Sequence, residues 1–189
     1  MSLYAAVRRS GMAGLGALTL LSAGCATIPE EQCASVDWHR LGVEDGRAGF
    51  SAARIVRHRE ACAGVGVVPD VAAWEAGRSL GLADYCVLGN AIENGLARNA
   101  YEGVCADARF GRAYDAARRL GEARFDIERV DDELAWRERE LATDRKLSDK
   151  RRAELRAEIR NLERQRDRAR DDRRDAEINL DRVRLELGI

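Results

Sequence analysis

The feature that most constrains this chain is a long run without a helix breaker. Between Gly121 and Gly188 there is neither proline nor glycine. From Asp107 to Ile189, 45 of 83 residues are charged, 23 basic and 22 acidic, with the signs mixed throughout. Blocks of one sign would suggest a disordered tail, whereas interspersed signs suit a solvated helix surface. Apolar residues recur by sevens: Leu120, Ile127, Leu134, Leu141, then Leu155, Leu162, Ala169, Ala176 and Val183. A thinner partner stripe holds Ala113, Ala116, Ala123 and Val130 in the first half, Ile159 and Leu180 in the second. A sustained seven-residue repeat with charged flanks predicts a coiled coil.

The series is broken once, at Ser148, which precedes Asp149 and a new helical run and is flanked by Lys146 and Lys150. A serine there can accept from the free amides of a first helical turn. The tail therefore reads as two helices, 107–143 and 148–187, folded back as a hairpin. At 1.5 Å per residue the arm is about 55 to 60 Å long. The alternative is a single helix of roughly 80 residues in a parallel dimer. Nucleic-acid binding needs a face of one sign, and neither the tail nor the chain, with a formal charge of −1, supplies it.

The opposite end carries an address. Arg8 and Arg9 form a basic start, and Gly11 to Ala23 is a run of 13 apolar or small residues. A membrane-spanning helix needs about 20 apolar residues, so the run is too short to stay as an anchor and fits an export signal. It ends Leu21-Ser22-Ala23-Gly24-Cys25, which resembles the lipobox of bacterial lipoproteins, with Ser22 where an aliphatic residue is commoner. The resemblance implies cleavage before Cys25 and acylation of that cysteine. Two or three chains at about 0.8 kcal/mol per buried methylene hold a protein stably on a membrane. In lipoproteins an aspartate after the cysteine favours inner-membrane retention. Ala26 stands there, so the expected location is the periplasmic face of the outer membrane. Removal of 1–24 leaves 30 basic and 33 acidic residues.

Between the two ends, residues 25–36 read as a lipidated polar tether. Residues 37–106 carry glycines and aromatics at spacings of three and four, which suit helix faces rather than strands. Glycine costs a helix up to about 1 kcal/mol relative to alanine, so its repetition calls for a reason. Close helix–helix approach is the expected one, with Trp38, Trp74 and Tyr85 over bare backbone. No phosphate-binding loop pattern is present. Helices are expected at 37–48, 51–62, 69–82 and 94–106, with Ser51 capping the second and Pro69-Asp70 opening the third.

The residues also carry a likeness. The run Cys33-x3-Asp37-Trp38-x3-Gly42-x2-Asp45-Gly46-x2-Gly49 is followed by His58-Arg-Glu-Ala-Cys62, Pro69-Asp70, Gly77-Arg78-x2-Gly81-Leu82-x2-Tyr85-Cys86 and Tyr101-x2-Val104-Cys105. In order and spacing it resembles a domain-of-unknown-function family of proteobacterial lipoproteins. The likeness runs from Cys33 to about Tyr114 and implies a small helical lipoprotein with paired cysteines, a helical tail and no stated activity. Trp74 stands where a tyrosine is common. Leu88, Ala91 and Arg98 replace a proline and two glycines, so that segment should be more helical here.

Beyond Cys25, four cysteines remain: Cys33, Cys62, Cys86 and Cys105. An even number in an exported chain reads as two disulfides with three possible connectivities. A turn at Gly49-Phe50 would fold the first two helices together and favours Cys33–Cys62 with Cys86–Cys105. A competing reading is a zinc site from Cys33, His39, His58 and Cys62, the last two sharing a helix face. Asp37, His39 and Asp45 can be drawn as an acid/base cluster, but no nucleophile accompanies them. Capping and surface solvation are the expected roles of the aspartates, and a surface or capping position is expected for His58.

The sequence thus predicts an all-α protein made of a disulfide-stapled, glycine-rich helical domain and a charged helical hairpin. Its expected role is a lipid-anchored structural or partner-binding module, not an enzyme, with no cofactor and no resident metal. Its expected partners are the membrane and an envelope protein or cell-wall component. The competing function is a small-ligand, glycan or metal-binding site in the glycine-rich domain, at the surface around Trp38 and Trp74 or, as a metal-binding or catalytic site, around Asp37, His39, Asp45 and His58.

Overall fold

A computed structural model describes residues 27–189, so the signal segment and the lipid site expected at Cys25 lie outside the described residues. Among the described residues there are six α-helices and no strand. They are α1 (Trp38–Arg47), α2 (Arg54–Cys62), α3 (Val71–Tyr85), α4 (Leu88–Leu96), α5 (Ala108–Thr143) and α6 (Asp149–Leu187). Short 3-10 helices cover Glu30–Ser35 and Ala63–Val65. The all-α expectation holds, including the break at Ser148. No helix among the described residues is long and apolar enough to cross a membrane.

Local chemistry explains most of the boundaries. The carboxylates of Asp37, Asp70 and Asp107 accept from the amides of Arg40, Ala73 and Arg109, each at 2.9 Å. The Ser148 hydroxyl accepts from the amide of Arg151 at 3.2 Å. Each satisfies a first-turn donor that has no partner within its own helix. Gly49 ends α1 with a φ of 76°. The amides of Gly49 and Phe50 donate back to the carbonyls of Gly46 and Asp45, so the chain reverses there into α2.

Three expectations need correction. Ser51 does not cap the second helix. That helix begins after Ala53, which offers no side-chain cap, and the Ser51 amide donates instead to Glu102 at 3.0 Å. The helix expected at 94–106 lies at Leu88–Leu96. Arg98 takes a left-handed φ of 59°, and the amides of Arg98 and Asn99 close on the carbonyls of Gly95 and Asn94. This is the termination that glycine usually supplies, here made by an arginine whose guanidinium lies 3.7 Å over the Phe125 ring. Residues 97–107 are therefore a connecting loop. Thirdly, residues 27–36 are not a free tether: Ile28 and Cys33 are buried and Glu30–Ser35 is helical.

The glycines do what close packing requires. Gly42 and Gly46 of α1 face Gly77 and Gly81 of α3. A Cβ on any of them would strike the opposing backbone, at the carbonyls of Trp74, Arg78, His39 and Val43 respectively. Only hydrogen at those positions lets the two backbones touch. Gly95 of α4 and Gly121 of α5 make a second such contact, against the carbonyls of Tyr114 and Leu96. Disulfides Cys33–Cys62 and Cys86–Cys105 then staple the first 3-10 helix to the end of α2, and the end of α3 to the loop before α5.

The arm grows out of this core. Phe110, Ala113 and Tyr114 of α5 pack with Tyr85 and Ala91, and Leu187 returns to the same cluster. Ala116, Ala117 and Leu120 pack with Ala176 and Leu180 beside Ile92 and Leu96. Farther out, the buried residues Val130, Leu134, Leu155 and Ala169 come from α5 and α6. From Phe125 to Thr143 the arm extends about 27 Å. Its helices are antiparallel, with Asp131–Arg166 at 3.8 Å, Arg137–Glu158 at 3.0 Å and Glu140–Arg151 at 3.0 Å pairing across it.

Candidate functional site

The most constrained polar cluster lies where α1, α2 and α3 meet the start of the described chain. Asp45, in the middle of α1, is 5% exposed, and His58 of α2 is 1% exposed. Oδ2 of Asp45 accepts from His58 Nε2 at 2.7 Å and from Trp74 Nε1 at 2.8 Å. Nε of Arg54 stands 3.6 Å from Oδ1, and its guanidinium lies 4.2 Å from the centre of the Phe50 ring. A buried carboxylate is costly unless it is paired and hydrogen-bonded, and here one arginine and two N–H donors surround it.

The second ring nitrogen of His58 is also engaged. Its Nδ1 lies 2.8 Å from the hydroxyl of Thr27. With Asp45 taking the proton on Nε2, Nδ1 of a neutral imidazole is an acceptor and the threonine donates; on a protonated ring both nitrogens donate. The rings of Trp38 and Trp74 pack on His58, with centroids 6.5 and 6.3 Å away. Thr27, His58 and Asp45 thus form a row of hydroxyl, imidazole and carboxylate, which is the order that acyl-transfer chemistry uses. The imidazole is sealed from solvent, however, and both of its nitrogens are used to hold separate parts of the chain together.

Thr27 also lines a groove of about 420 Å³, whose wall includes Gln32, Ser35, Asp37, Arg40 and Glu44. Two carboxylates elsewhere in the domain are held below the usual glutamate range. The Ser51 hydroxyl and amide lower Glu102, and the Arg78 guanidinium hydrogen-bonded to Glu75 lowers that group.

The sequence candidates divide sharply. Cys33 and Cys62, and Cys86 and Cys105, are joined in the favoured connectivity. The zinc reading loses its two sulfur ligands to the first disulfide. His39 is exposed and Asp37 is a helix cap, so neither joins the cluster. Asp45 and His58 correct the surface roles expected for them: both are buried and bonded to each other. Trp74 is 1% exposed, so it offers no surface for stacking a ligand. One signal for the burial of His58 was present, since it sits four residues before Cys62 and must share the face that the disulfide turns inward. Thr27 had no such signal.

Residues 37–119 match a family model described as "Protein of unknown function (DUF2799)". The chain therefore carries a domain similar to a family of unknown function. The matched stretch covers less than half of the chain and spans α1 to α4 with the core-embedded start of α5; the outer arm lies beyond it. It includes Asp45, His58 and Trp74, but not Thr27 or Cys33. No curated protein and no solved structure matches the chain.

Proposed function

We propose that this chain is a lipid-anchored protein of the bacterial envelope, held by Cys25 at the periplasmic face of the outer membrane, which works as a structural or partner-binding module. The observation that supports it best is how the polar groups are used. The side chains best suited to chemistry, Asp45 and His58, are tied up in holding four segments together. Much of the chain instead builds a charged arm. The stripes of that arm are turned inward, leaving an outer face of arginine, aspartate and glutamate with Trp136 half exposed beneath the guanidinium of Arg137.

Such a face binds through many weak contacts, since exposed ion pairs contribute about 0 to 1 kcal/mol each and are screened within about 8 to 10 Å. The test is cross-linking and pull-down from intact cells, comparing the full chain with one in which residues 131–165 are replaced by a short turn. That cut spares the base of the hairpin, where Leu120, Ala176 and Leu180 belong to the core. A partner captured by the full chain and lost from the shortened one, more weakly held as salt rises, supports the arm reading. Equal capture by both contradicts it.

The groove beside Thr27 supports a second reading, a small polar ligand such as a glycan fragment held by Gln32, Asp37 and Arg40. Arg40→Ala that abolishes function while the shortened arm preserves it would favour that reading.

A further inference from the structure

One stretch of this highly charged chain stands apart. Between Glu60 and Asp70 no residue is charged. The segment runs Ala61-Cys62-Ala63-Gly64-Val65-Gly66-Val67-Val68-Pro69, and it does not bury all its apolar side chains. Val68 is 77% exposed and Val65 48%, with Val71 at 45% on the first turn of α3. Gly66 takes a left-handed φ of 71°, which ends the 3-10 helix between Val65 and Val68.

Its place in the fold gives the stretch a meaning. Val67 packs on the cluster of Ile28, Cys33 and Cys62. A Cβ on Gly64 would meet the Glu30 carboxylate at 2.6 Å. The Cys33–Cys62 disulfide fixes the loop to the same segment from the other side. The valines are therefore neighbours of the point where the described chain begins. Thr27 is pinned there by His58. Cys25 is two residues upstream, which even a fully extended chain spans in about 7 Å.

We infer that the Val65–Val68 loop is a membrane-contacting wedge, which dips into the lipid interface beside the acylated Cys25 and fixes the orientation of the domain. This rests on the lipoprotein reading above. The occupant is the bilayer rather than a protein because the described chain begins at the edge that carries the loop, two residues from the expected anchor, and Thr27 and Ile28 are packed there rather than slack. The contact is apolar. Glu60 and Asp70 bound the loop and Glu30 lies against Gly64, and the loop itself carries no positive charge to draw anionic headgroups in, so the contact is insensitive to salt, unlike partner capture by the arm.

The test uses the mature lipidated protein in vesicles of phosphatidylethanolamine and phosphatidylglycerol, with Val68→Trp as reporter and acyl-brominated lipid as quencher. The unsubstituted protein sets the background from Trp38, Trp74 and Trp136. Leu185→Trp, at the far end of α6 and 85% exposed in the native chain, is the control. Val65→Trp gives a second reporter should the first variant misfold by circular dichroism. The expected result is that most of the emission added by the loop tryptophan is lost to quenching, unchanged in high salt, while that added at 185 is retained. Loop emission quenched no more than the control, in protein whose mass shows lipid on Cys25, overturns the wedge and leaves the anchor standing. A mass that shows no lipid on Cys25 overturns both.

Discussion

The imidazole Nε2 of His58 lies 2.7 Å from Oδ2 of Asp45, and both residues are buried. Together with Trp74 and Thr27 they tie α1, α2, α3 and the segment next to the proposed anchor into one body. Removing the carboxylate strands two N–H donors and the Arg54 charge. Asp45→Ala should therefore cost about 3 to 5 kcal/mol, the range for breaking a buried pair from one side. Asp45→Asn, which keeps one acceptor, should cost about 1 to 3 kcal/mol. Urea unfolding of the mature chain measures both. Equal stability of the alanine variant and the native protein would show that the cluster does not hold the domain together.

The glycine contacts predict opposite signs at two positions in helices. Gly46→Ala drives a methyl into the backbone of α3, at the Arg78 carbonyl and the Gly81 Cα. Overpacking of this kind costs about 1 to 3 kcal/mol, and here the obstacle is backbone that cannot step aside. Gly111→Ala meets nothing within 4 Å on α5 and should stabilise by about 0.5 to 1 kcal/mol. Thermal melts of the two variants should move in opposite directions. A shift of the same sign in both would contradict the close α1–α3 pairing.

The two disulfides should differ in how readily they are reduced. Cys33 and Cys62 are sealed in a cluster with Ile28, while Cys86 and Cys105 are partly exposed. Titration with a mild reductant, followed by alkylation and peptide mapping, should label Cys86 and Cys105 first. Each link closes a loop worth about 3 to 4 kcal/mol in the chain-entropy model, so full reduction should lower the melting temperature well beyond any single surface change.

Acid stability carries a further signature. Glu102, lowered from its ordinary value of 4.5 by the Ser51 hydroxyl and amide, joins the loop after α4 to the start of α2. A carboxyl whose folded pKa is depressed contributes stability above its unfolded pKa and loses it as pH falls through the folded value. Glu102→Gln should thus narrow the stability gap to the native chain as pH drops below about 4.5, with the largest difference near neutrality. A gap that widens on acidification would reverse the assignment.

The sequence was most legible where one period repeats. The stripe from Leu120 to Val183 and its single interruption at Ser148 fixed two helices to within a residue or two, because every seventh side chain must face the same partner. Asp131–Arg166 and Arg137–Glu158 bracket positions 134 and 162 in the folded hairpin. Cysteines placed at those two positions should cross-link within one chain at high dilution, not between chains. The glycine spacing announced close packing but not its partners, since a backbone contact leaves no complementary side chain to read. Asp45 was misread as a surface group because it is polar in isolation, and the inward-facing spacing of His58 to Cys62 went unused. The burial of Asp45 depends on meeting His58 across two helices, which no local pattern encodes. Arg98 hid a helix end because an arginine rarely takes the left-handed turn that glycine supplies freely. Thr27 and Ile28 looked like slack because a short polar stretch is packed only when a distant histidine and disulfide receive it.

The proposed lipid on Cys25 is what places this protein at a membrane. Cells expressing the chain should be fed an alkyne fatty acid, and the protein then isolated from the membrane fraction and tagged. The native chain should carry the label and remain with membranes. Cys25→Ser should carry none and appear in the soluble periplasmic fraction, with both disulfides intact. Label that persists in Cys25→Ser, or a native chain that takes no label and leaves the membrane freely, would contradict the account.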